Sequence, residues 1–364
     1  MGGAEKQFIY LARALGDAGI NVHVYTFRQG KYYEAMSSIT GVTPIWIKAN
    51  TYATRLNGLW QELRRLQPHV IQSGQLYSGL YVGILGRLTR TISVGNMRTS
   101  IGNAQKVGGL ALRLCLQLPT ALLVNSNQAI QELGKSRLIA PQKLYYFPNV
   151  LDLDAFDVDL LAGRRTSVPH QNIRVTFVGR LTAVKRVDRF LDALSRAREV
   201  ISNIQGIVIG DGPCRVDLQR QAESLGLFPY GVCFLGERHD VPGLLSCTDM
   251  LVLPSDHEGF SNVLLEAMAA SLPIITTPAG DSTLVVQHNK TGLVVDYDAI
   301  QMANAIVRLA TDKERRSLMG NAGRALVEKM YDFDRMASRA CGIYEQIARQ
   351  ANDIQVAEMC KQYV

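Results

Sequence analysis

Apolar and polar positions along the first half of the chain repeat with two periods, one helical and one extended. Apolar residues recur at helical spacing through EKQFIYLARALGDAG (5–19), which ends at Gly19, and through LNGLWQELRRLQ, which Pro68 ends. Short runs rich in β-branched and aromatic residues separate these segments and are typical of strands. The predicted strands are INVHVYTF, ITGVTPIWI, HVIQSG, TALLVNS and LYYFPNV, and NQAIQELGKS is a further predicted helix.

The periodicity fails between Leu151 and Gln171, where the chain is first acidic and then polar, with Pro169 near the end. This composition predicts a linker or an inter-domain crossing. The alternation then restarts. The predicted strands of the second half are IRVTFVG, IQGIVIGDG, VCFLG, MLVLPS, PIITT and GLVV. Its predicted helices are RVDRFLDALSRAREVI, CRVDLQRQAESLG, VPGLLSC, SNVLLEAMAA and a helical stretch from about 299 to 349.

Strands that alternate with helices indicate parallel sheets covered by helices on both faces. Two such sets joined by an irregular crossing predict an α/β protein with two doubly wound, Rossmann-like domains that face a cleft. We place these domains at residues 1–155 and 156–330, with C-terminal helices over 331–364. Ligands of such sheets bind at the carboxyl ends of the strands, so candidate chemistry is sought there.

Charge is unevenly divided along the 364 residues, although the overall content of 47% hydrophobic and 20% charged residues is ordinary for a globular protein. Residues 1–150 hold 16 Lys and Arg against 5 Asp and Glu, a balance of +11, whereas residues 151–364 hold 23 against 27, a balance of −4. No acid occurs between Glu62 and Glu132. A solvated basic face and attraction to an anionic membrane surface or acidic substrate both remain open. Nucleic acid is the weaker alternative, because no aromatic-interleaved basic tract accompanies the charge.

Other features favour a cytoplasmic protein without metal. The six cysteines have no framework spacing, no signal-peptide pattern opens the chain, and the apolar run 107–124 is interrupted by Arg113 and Pro119. A cytoplasmic location is therefore predicted, with or without peripheral attachment to the inner face of a membrane. The six histidines form no ligand-like spacing, so no metal site is predicted.

Two cations follow the first strand of the second half. Arg180 and Lys185 lie just after the strand that ends at Gly179. The guanidinium of an arginine can bind two phosphate oxygens at once, and a lysine ammonium adds a compact positive charge, so the two residues would suit a pair of phosphates. The alternative is a helix start with ordinary surface cations. The next strand leads into GDGP (210–213), a tight turn with little side-chain bulk, which is a weak signal alone.

The segment EGFSNVLLEAMA (258–269) follows a later strand of the same half and carries two acids, Glu258 and Glu266. Ser261 or a neighbour is predicted to cap the helix that starts here. The backbone N–H groups of Gly259 to Val263 would then form a helix start that suits an anion. Eight helical residues rise roughly 12 Å, so the two acids could hold opposite ends of a nucleotide-sugar. The alternative is one acid at a helix start and one unrelated surface acid.

Taken in order, these motifs resemble glycosyltransferase family 4, whose members have the two-domain GT-B architecture. The resemblance covers nearly the whole chain and is most specific in the second half. It is carried by GGAE (2–5), YFPNVLDLDAF (146–156), VGRLTAVKRVDRFLDAL (178–194), GDGP (210–213), FLGERHDVPGLLSCTDMLVLPS (234–255), EGFSNVLLEAMA (258–269) and TGLVV (291–295).

The resemblance implies a role for each matching residue. Arg180 and Lys185 match the cations that bind the donor diphosphate, Glu258 matches the acid at the transferred sugar, and Glu266 matches the acid at the ribose hydroxyls. Backbone amides over 259–263 match the contacts to phosphate and sugar. These donor-binding positions are Gly259, Phe260, Ser261, Asn262 and Val263, together with Gly2 and Gly3 of the glycine-rich loop in the N-terminal domain. The family is mostly retaining and needs no metal, and its last helices usually cross back to the N-terminal, acceptor-side domain.

Three departures from the family pattern stand out. The strand that normally precedes the glycine loop is not in the sequence as given, so either the true start lies upstream or the first domain lacks its central strand, which would expose two sheet edges. Residues 72–75 (QSGQ) and 96–98 (NMR) stand where many relatives have an acceptor-side histidine, so no catalytic base is evident there. Thr283 stands where an acid is common.

The sequence thus predicts a retaining glycosyltransferase that uses a nucleotide-sugar donor and a lipid-linked or cell-envelope polysaccharide intermediate as acceptor. Arg180, Lys185 and Glu258 are the predicted catalytic residues. A non-catalytic protein that binds a nucleotide-sugar is the main alternative. A nicotinamide-dependent dehydrogenase is weakly supported, because no strand is followed by Gly-x-Gly-x-x-Gly with an acid some 20 residues on. The sugar, the base and the acceptor stay open.

Overall fold

The protein forms two compact units in a computed structural model that describes residues 3–98, 109–136, 138–166 and 171–364. The first unit comprises Met1–Val150 and Phe333–Val364, and the second comprises Leu151–Asp332. Each unit is built on parallel strands with helices packed against them. The predicted fold class, an α/β protein with two Rossmann-like domains, is confirmed. The chain passes between the units after Val150 and after Asp332, near the boundaries placed from the sequence at 155/156 and 330/331.

The elements of the first unit before residue 150 follow the predicted alternation. They are α1 (Gly3–Asp17), β1 (Val22–Thr26), α2 (Lys31–Ser37), β2 (Val42–Trp46), α3 (Tyr52–Leu66), β3 (Val70–Gln72), α4 (Gly79–Thr89), β4 (Ile92–Met97), α5 (Gly109–Gln117), β5 (Ala121–Val124), α6 (Asn127–Lys135) and β6 (Leu144–Tyr146). The helices α2, α4 and α5 lie in segments for which the apolar pattern predicted no helix.

The sheet of the first unit is divided. Strands β1 and β2 form a parallel pair, and β3, β4, β5 and β6 form a separate parallel sheet in that order. Among the residues that the structure describes, no strand lies ahead of α1 and none links β1 to β3.

The second unit carries a complete six-stranded parallel sheet. Its elements are α7 (Leu153–Thr166), β7 (Ile173–Val178), α8 (Val187–Val200), β8 (Ile204–Ile209), α9 (Arg215–Ser224), β9 (Val232–Gly236), α10 (Val241–Leu245), β10 (Met250–Leu253), α11 (Asn262–Ala269), β11 (Ile274–Thr276), α12 (Ser282–Val285), β12 (Gly292–Val294), α13 (Ala299–Thr311) and α14 (Lys313–Met330). The spatial order is β9-β8-β7-β10-β11-β12. The order reverses between β7 and β10, and in doubly wound sheets such a switch point opens a crevice for ligands.

The C-terminal segment belongs to the first unit. Its helices are α15 (Met336–Gln350) and α16 (Ile354–Lys361). Together with α1 they cover one face of the β3–β6 sheet, where Val94, Leu123 and Phe147 are buried against Tyr344 of α15. The single helical stretch predicted over 299–349 is thus three helices, broken at Asp312 and after Met330.

The segment 151–171 was predicted as a linker or an inter-domain crossing. The chain does cross between the units just before Leu151, but the prediction of an irregular linker is wrong for most of the segment, because residues Leu153–Thr166 form helix α7. Asp152 starts this helix by accepting a hydrogen bond from the amide of Ala155 at 3.1 Å. Leu153, Phe156 and Leu160 lie on one face of the helix and are buried in the core of the second unit. The sequence pattern did not predict this helix, because its apolar face is narrow and the acidic residues of its N-terminal half are typical of a solvated loop.

Candidate functional site

The candidate site lies at the switch point of the second unit, in the two loops that follow β7 and β10. The amide of Asp256, just after β10, donates to the carbonyl of Val184, just before α8, at 3.0 Å. This bond joins the two loops at the carboxyl edge of the sheet. The sequence-based search of strand ends therefore led to the two loops at which the strand order reverses, which is where doubly wound sheets bind ligands.

Lys185 and Glu258 form an ion pair across these two loops. The Nζ of Lys185 lies 2.6 Å from Oε1 of Glu258, and the side chains are 21% and 8% exposed. The same Oε1 accepts a hydrogen bond from Oγ of Ser255 at 2.6 Å. The carbonyl of Ser255 in turn accepts from Oγ1 of Thr277 at 2.5 Å, which fixes the loop to the end of β11. A nearly buried carboxylate with two short donors is held in one position.

Arg180 is placed differently from Lys185. Arg180 is exposed and directly follows Gly179 at the end of β7. Among the described residues, its side chain forms no hydrogen bond and no ion pair. The structure therefore brings two of the three predicted catalytic residues together and leaves Arg180 at the edge of the same loop. The donor-phosphate role of both cations stays a prediction.

A network of charged residues that the sequence analysis missed holds the loops. Arg186 donates to Asp188 and Asp256, and Arg189 donates to Asp256 at 2.8 Å and to the carbonyl of Pro254 at 2.6 Å. Burial raises the pKa of Asp256, whereas hydrogen bonds from Arg189 and Arg186 lower it, and the net effect is a pKa below its ordinary value. The hydrogen bonds that Arg186 donates to Asp188 and Asp256 raise its own pKa. The signal available in the sequence was the run KRVDR (185–189) directly after the predicted lysine.

Glycines allow close approach of two pairs of loops at this edge. A Cβ on Gly210, of the GDGP turn, would lie 2.0 Å from the carbonyl oxygen of Gly179, so only glycine fits between the loops after β7 and β8. Gly280 has a φ of +59°, and a Cβ there would lie 2.2 Å from the carbonyl oxygen of Glu258. The position of the Glu258 backbone therefore depends on a glycine in the loop after β11.

The helix of the segment EGFSNVLLEAMA begins where the sequence predicted it, directly after Ser261. Helix α11 begins at Asn262, with Ser261 as its N-cap residue, but the Ser261 side chain makes no capping hydrogen bond. Its first turn is therefore not occupied by the serine hydroxyl that was expected there. Phe260 is buried, with its ring 5.5 Å from that of Tyr331, and Val263 is buried in the same core. Contacts of these two residues with a ligand would have to come from the backbone.

Glu266, Gly2 and Gly3 complete the predicted donor-binding residues. Glu266 is the fifth residue of α11 and half-buried, so fewer helical residues separate it from Glu258 than the sequence-based estimate assumed. Gly3 is the first described residue and starts α1 in the first unit, whereas Gly2 lies outside the described residues. The roles predicted for Glu266, Gly2 and Gly3 stay predictions.

Over the described ranges, no three His, Cys, Asp or Glu side chains gather as a metal site would require. Within the same residues, no helix combines the length and the apolarity needed to cross a membrane.

Two sequence families match the chain in sequence order. Residues 1–155 match "Glycosyltransferase Family 4", and residues 172–312 match "Glycosyl transferases group 1". The chain therefore belongs to glycosyltransferase family 4. The recognition made from the motifs is confirmed.

Individual relatives and solved structures agree with this assignment. A GDP-mannose-dependent alpha-(1-6)-phosphatidylinositol monomannoside mannosyltransferase of Mycobacterium tuberculosis is 31% identical over 209 residues, which cover 54% of each chain. A UDP-Gal:alpha-D-GlcNAc-diphosphoundecaprenol alpha-1,3-galactosyltransferase of Escherichia coli is 26% identical over 215 residues, 57% of this chain and 56% of that protein. The matches thus span about half the length of these relatives.

Among solved structures, the Anabaena protein Alr3699/HepE in complex with UDP is similar over 99% of this chain and 96% of its own, with a TM-score of 0.80 and 19% identity. At this level of identity the likeness establishes the fold alone, which is that of the GT-B glycosyltransferases.

Proposed function

We propose that the protein is a glycosyltransferase that moves a sugar from a nucleotide-diphosphate-sugar to a hydroxyl group, with retention of anomeric configuration. The observation that carries this proposal is the Lys185–Glu258 ion pair at the switch point of the second sheet. It places a cation and a nearly buried carboxylate beside the start of α11, where a helix offers partial positive charge to an anion. A sugar diphosphate carries the matching groups, namely anionic oxygens next to hydroxyls.

The chemistry follows from where charge develops. When the bond between sugar and diphosphate breaks, negative charge accumulates on the leaving phosphate. Arg180, Lys185 and the amides over 259–263 would stabilise that charge, so no metal is required in this proposal. Glu258 would accept hydrogen bonds from the sugar hydroxyls, and Glu266 would do the same for the ribose. Retention is expected if the departing phosphate itself takes the proton of the attacking hydroxyl on the same face of the sugar.

The donor is a UDP- or a GDP-sugar, and the acceptor is a lipid-linked or cell-envelope polysaccharide intermediate. The names of the relatives support both points, since one is GDP-mannose-dependent and another uses UDP-Gal and a diphosphoundecaprenol. The basic balance of residues 1–150 supports attraction to an anionic membrane from the cytoplasmic side. Gly2 and Gly3 would contribute backbone contacts to the donor.

The test combines nucleotide binding with turnover. Thermal unfolding of the full chain is measured with UDP, GDP, UDP-glucose and GDP-mannose, and hydrolysis of the preferred sugar nucleotide is followed by release of the nucleoside diphosphate. We expect Glu258→Gln to retain binding of the nucleoside diphosphate and to lose at least a hundredfold in turnover. The matched control is Glu223→Gln, an exposed glutamate of the same unit.

The alternative function is a non-catalytic protein that binds a nucleotide-sugar. The absence of an acceptor-side histidine from residues 72–75 and 96–98 is the feature that favours it. Stabilisation by nucleotide-sugars with no turnover in the wild type, either by hydrolysis or by transfer to lipid-linked acceptors, would establish this alternative.

A further inference from the structure

The carboxyl end of the four-stranded sheet in the first unit carries a polar layer on one face. Paired residues of parallel strands point to the same side, and Gln72 pairs with Val94. Asn96 and Arg98 follow Val94 at a period of two, so Gln72, Asn96 and Arg98 share a face. Asn149, which follows β6, lies on the same side, because its Oδ1 accepts a hydrogen bond from Nη1 of Arg98 at 2.7 Å. Helix α15 covers this face.

The unused hydrogen-bonding capacity of this layer consists of donors. Nε2 of Gln72, Nδ2 of Asn96, and Nε and Nη2 of Arg98 are buried and have no hydrogen-bond partner among the described residues. Asn96 as a whole is 1% exposed. The acceptors nearby are already engaged, since Oε1 of Gln72 accepts from the Tyr344 hydroxyl, and Oδ1 of Asn149 accepts from both Arg98 and Nδ2 of Asn125. Buried donors without partners are rare in native proteins and point to an absent acceptor.

Arg98 gives this layer a positive charge, and no carboxylate among the described residues forms an ion pair with it. No Asp or Glu occurs in the sequence between Glu62 and Glu132, and the hydrogen-bond partner of Arg98 is a neutral amide. Burial lowers the pKa of the Arg98 guanidinium to about 10, with the Tyr344 phenol acting in the opposite direction. A buried cation without a counter-ion is costly in free energy, so an anion bound at this point would be favoured.

The free edge of the Arg98 guanidinium favours an anion with two oxygens on one group. Its Nη1 is used by Asn149, and its guanidinium lies 5.8 Å from the centroid of the Phe147 ring. The edge formed by Nε and Nη2 remains open. This edge presents two parallel N–H groups, which is the arrangement that grips two oxygens of a phosphate or carboxylate. The amide donors of Gln72 and Asn96 add further contacts for an oxygen-rich group.

We propose that the Arg98 cluster, defined as Gln72, Asn96, Arg98 and Asn149, binds a phosphoryl group. Resting on the proposed function, we assign this group to the acceptor, which is then a phosphorylated or diphosphate-bearing molecule. Arg98 is the specificity-determining residue in this assignment, and the amides of Gln72 and Asn96 orient the bound oxygens. A free sugar phosphate and a lipid diphosphate share this chemistry.

Inorganic pyrophosphate is the probe for the site itself. Hydrogen–deuterium exchange of the full chain is measured at constant ionic strength with and without millimolar pyrophosphate, over peptides that contain 92–98 and 147–150. We expect protection of both segments in the wild type. Arg98→Gln should weaken the apparent affinity at least tenfold, and Arg98→Lys, which keeps the charge but loses the fork, at least threefold.

Two matched controls exclude other causes. Arg113→Gln removes an exposed cation of the same unit and should bind pyrophosphate as the wild type does. Lys185→Met should also leave the protection of 92–98 unchanged, because that residue lies in the second unit. Unprotected segments in the wild type, or unchanged protection in Arg98→Gln, would overturn the proposal. If Arg98→Gln does not fold, Arg98→Lys carries the test, and wild-type affinity in that variant would overturn it.

The assignment to the acceptor is tested separately from the donor site. UDP or GDP should protect the segment 254–263 of the second unit whether or not the Arg98 cluster binds an anion. Protection of 254–263 without protection of 92–98 by pyrophosphate would leave the proposed function standing and remove this inference. The converse result would support the anion site and overturn its assignment to an acceptor. Farnesyl diphosphate and glucose 1-phosphate then distinguish the sources, since a lipid-linked acceptor predicts that the former competes better with pyrophosphate.

Discussion

The Nζ of Lys185 lies 2.6 Å from Oε1 of Glu258, so the cation predicted to bind phosphate and the carboxylate predicted to bind the sugar neutralise each other. The pair joins the loops after β7 and β10, and Oγ of Ser255 donates a hydrogen bond to the same carboxylate oxygen of Glu258. Under the proposed function, a sugar diphosphate would exchange this ion pair for two new contacts, one between phosphate and Lys185 and one between a sugar hydroxyl and Glu258. The pair therefore holds both side chains in position before the donor arrives, which reduces the ordering that binding requires.

Breaking this pair from one side should destabilise the second unit. Lys185→Met leaves Glu258, which is 8% exposed, with Ser255 as its remaining partner. We expect a loss of about 1–3 kcal/mol in the free energy of unfolding, because a nearly buried carboxylate loses its counter-ion. Glu258→Gln should cost less, since Lys185 is more exposed and can be hydrated. Urea-induced unfolding at neutral pH measures both.

The double variant Lys185→Met/Glu258→Gln provides the control. Removing both charges should be less destabilising than the sum of the single changes, with a coupling energy of about 1 kcal/mol or more. Additive single effects would show that the pair contributes nothing to stability. Turnover should be lost in all three variants, so recovery of stability without recovery of activity separates the structural role from the catalytic one.

Asp256 should contribute stability that depends on pH. Its pKa in the folded protein is below the ordinary value of 3.8, because hydrogen bonds from Arg189 and Arg186 outweigh the effect of burial. A carboxylate with a lowered pKa stabilises the folded state above the unfolded pKa, and this contribution is lost as the pH falls from about 3.8 through the folded pKa. Asp256→Asn should therefore lower the free energy of unfolding at pH 7 and flatten its dependence on pH below 4.

The comparison for this variant is Asp217→Asn, which changes an exposed aspartate of the same unit. Surface ion pairs of this kind contribute little, so its acid unfolding curve should match that of the wild type. Identical acid unfolding of Asp256→Asn and the wild type would contradict a role for Asp256 in joining the loops.

Much of the fold and part of the site could be predicted from the sequence. The alternation of apolar strands, such as Ile173–Val178, with amphipathic helices predicts the parallel topology. It could be seen in the sequence because side-chain periodicity is a local property. Loops after strands at the switch point could likewise be searched for charges, and this search found Lys185 and Glu258. Their mutual contact was not predicted, since it depends on how two loops 73 residues apart in sequence meet in space.

Other features depended on tertiary context. Helix α7 carries only a narrow apolar face, and its packing in the core rather than its composition makes it a helix. The Asp256 network and the Arg98 cluster consist of residues that are individually ordinary in sequence. Asn96 and Arg98 were noted only because they stand where a histidine was expected. Their significance comes from buried side-chain nitrogens that have no hydrogen-bond partner among the described residues, and no sequence pattern reveals this.

Gly280 should be required for the position of Glu258. A Cβ at this residue would lie 2.2 Å from the carbonyl oxygen of Glu258, and its φ of +59° is unfavourable for other residues. Gly280→Ala should destabilise the protein by more than about 1 kcal/mol and weaken binding of the sugar nucleotide. Gly226→Ala is the matched control, because Gly226 has a φ of +68° but nothing within 4 Å of its added Cβ. Equal effects of the two changes on nucleotide-sugar affinity would rule out a steric role for Gly280.

The basic balance of residues 1–150 makes membrane attachment testable by salt. If the first unit binds an anionic membrane surface, the protein should cosediment with phosphatidylglycerol vesicles and not with phosphatidylcholine vesicles. This binding should weaken as ionic strength rises. Arg64 and Arg113 are exposed, and each basic residue near such a surface contributes about 1 kcal/mol. The double reversal Arg64→Glu/Arg113→Glu should therefore weaken binding at least tenfold. The same reversal at Arg196 and Arg220, exposed in the second unit, should have little effect. Equal losses from both double variants would indicate that net charge alone, and not the first unit, governs attraction to the membrane.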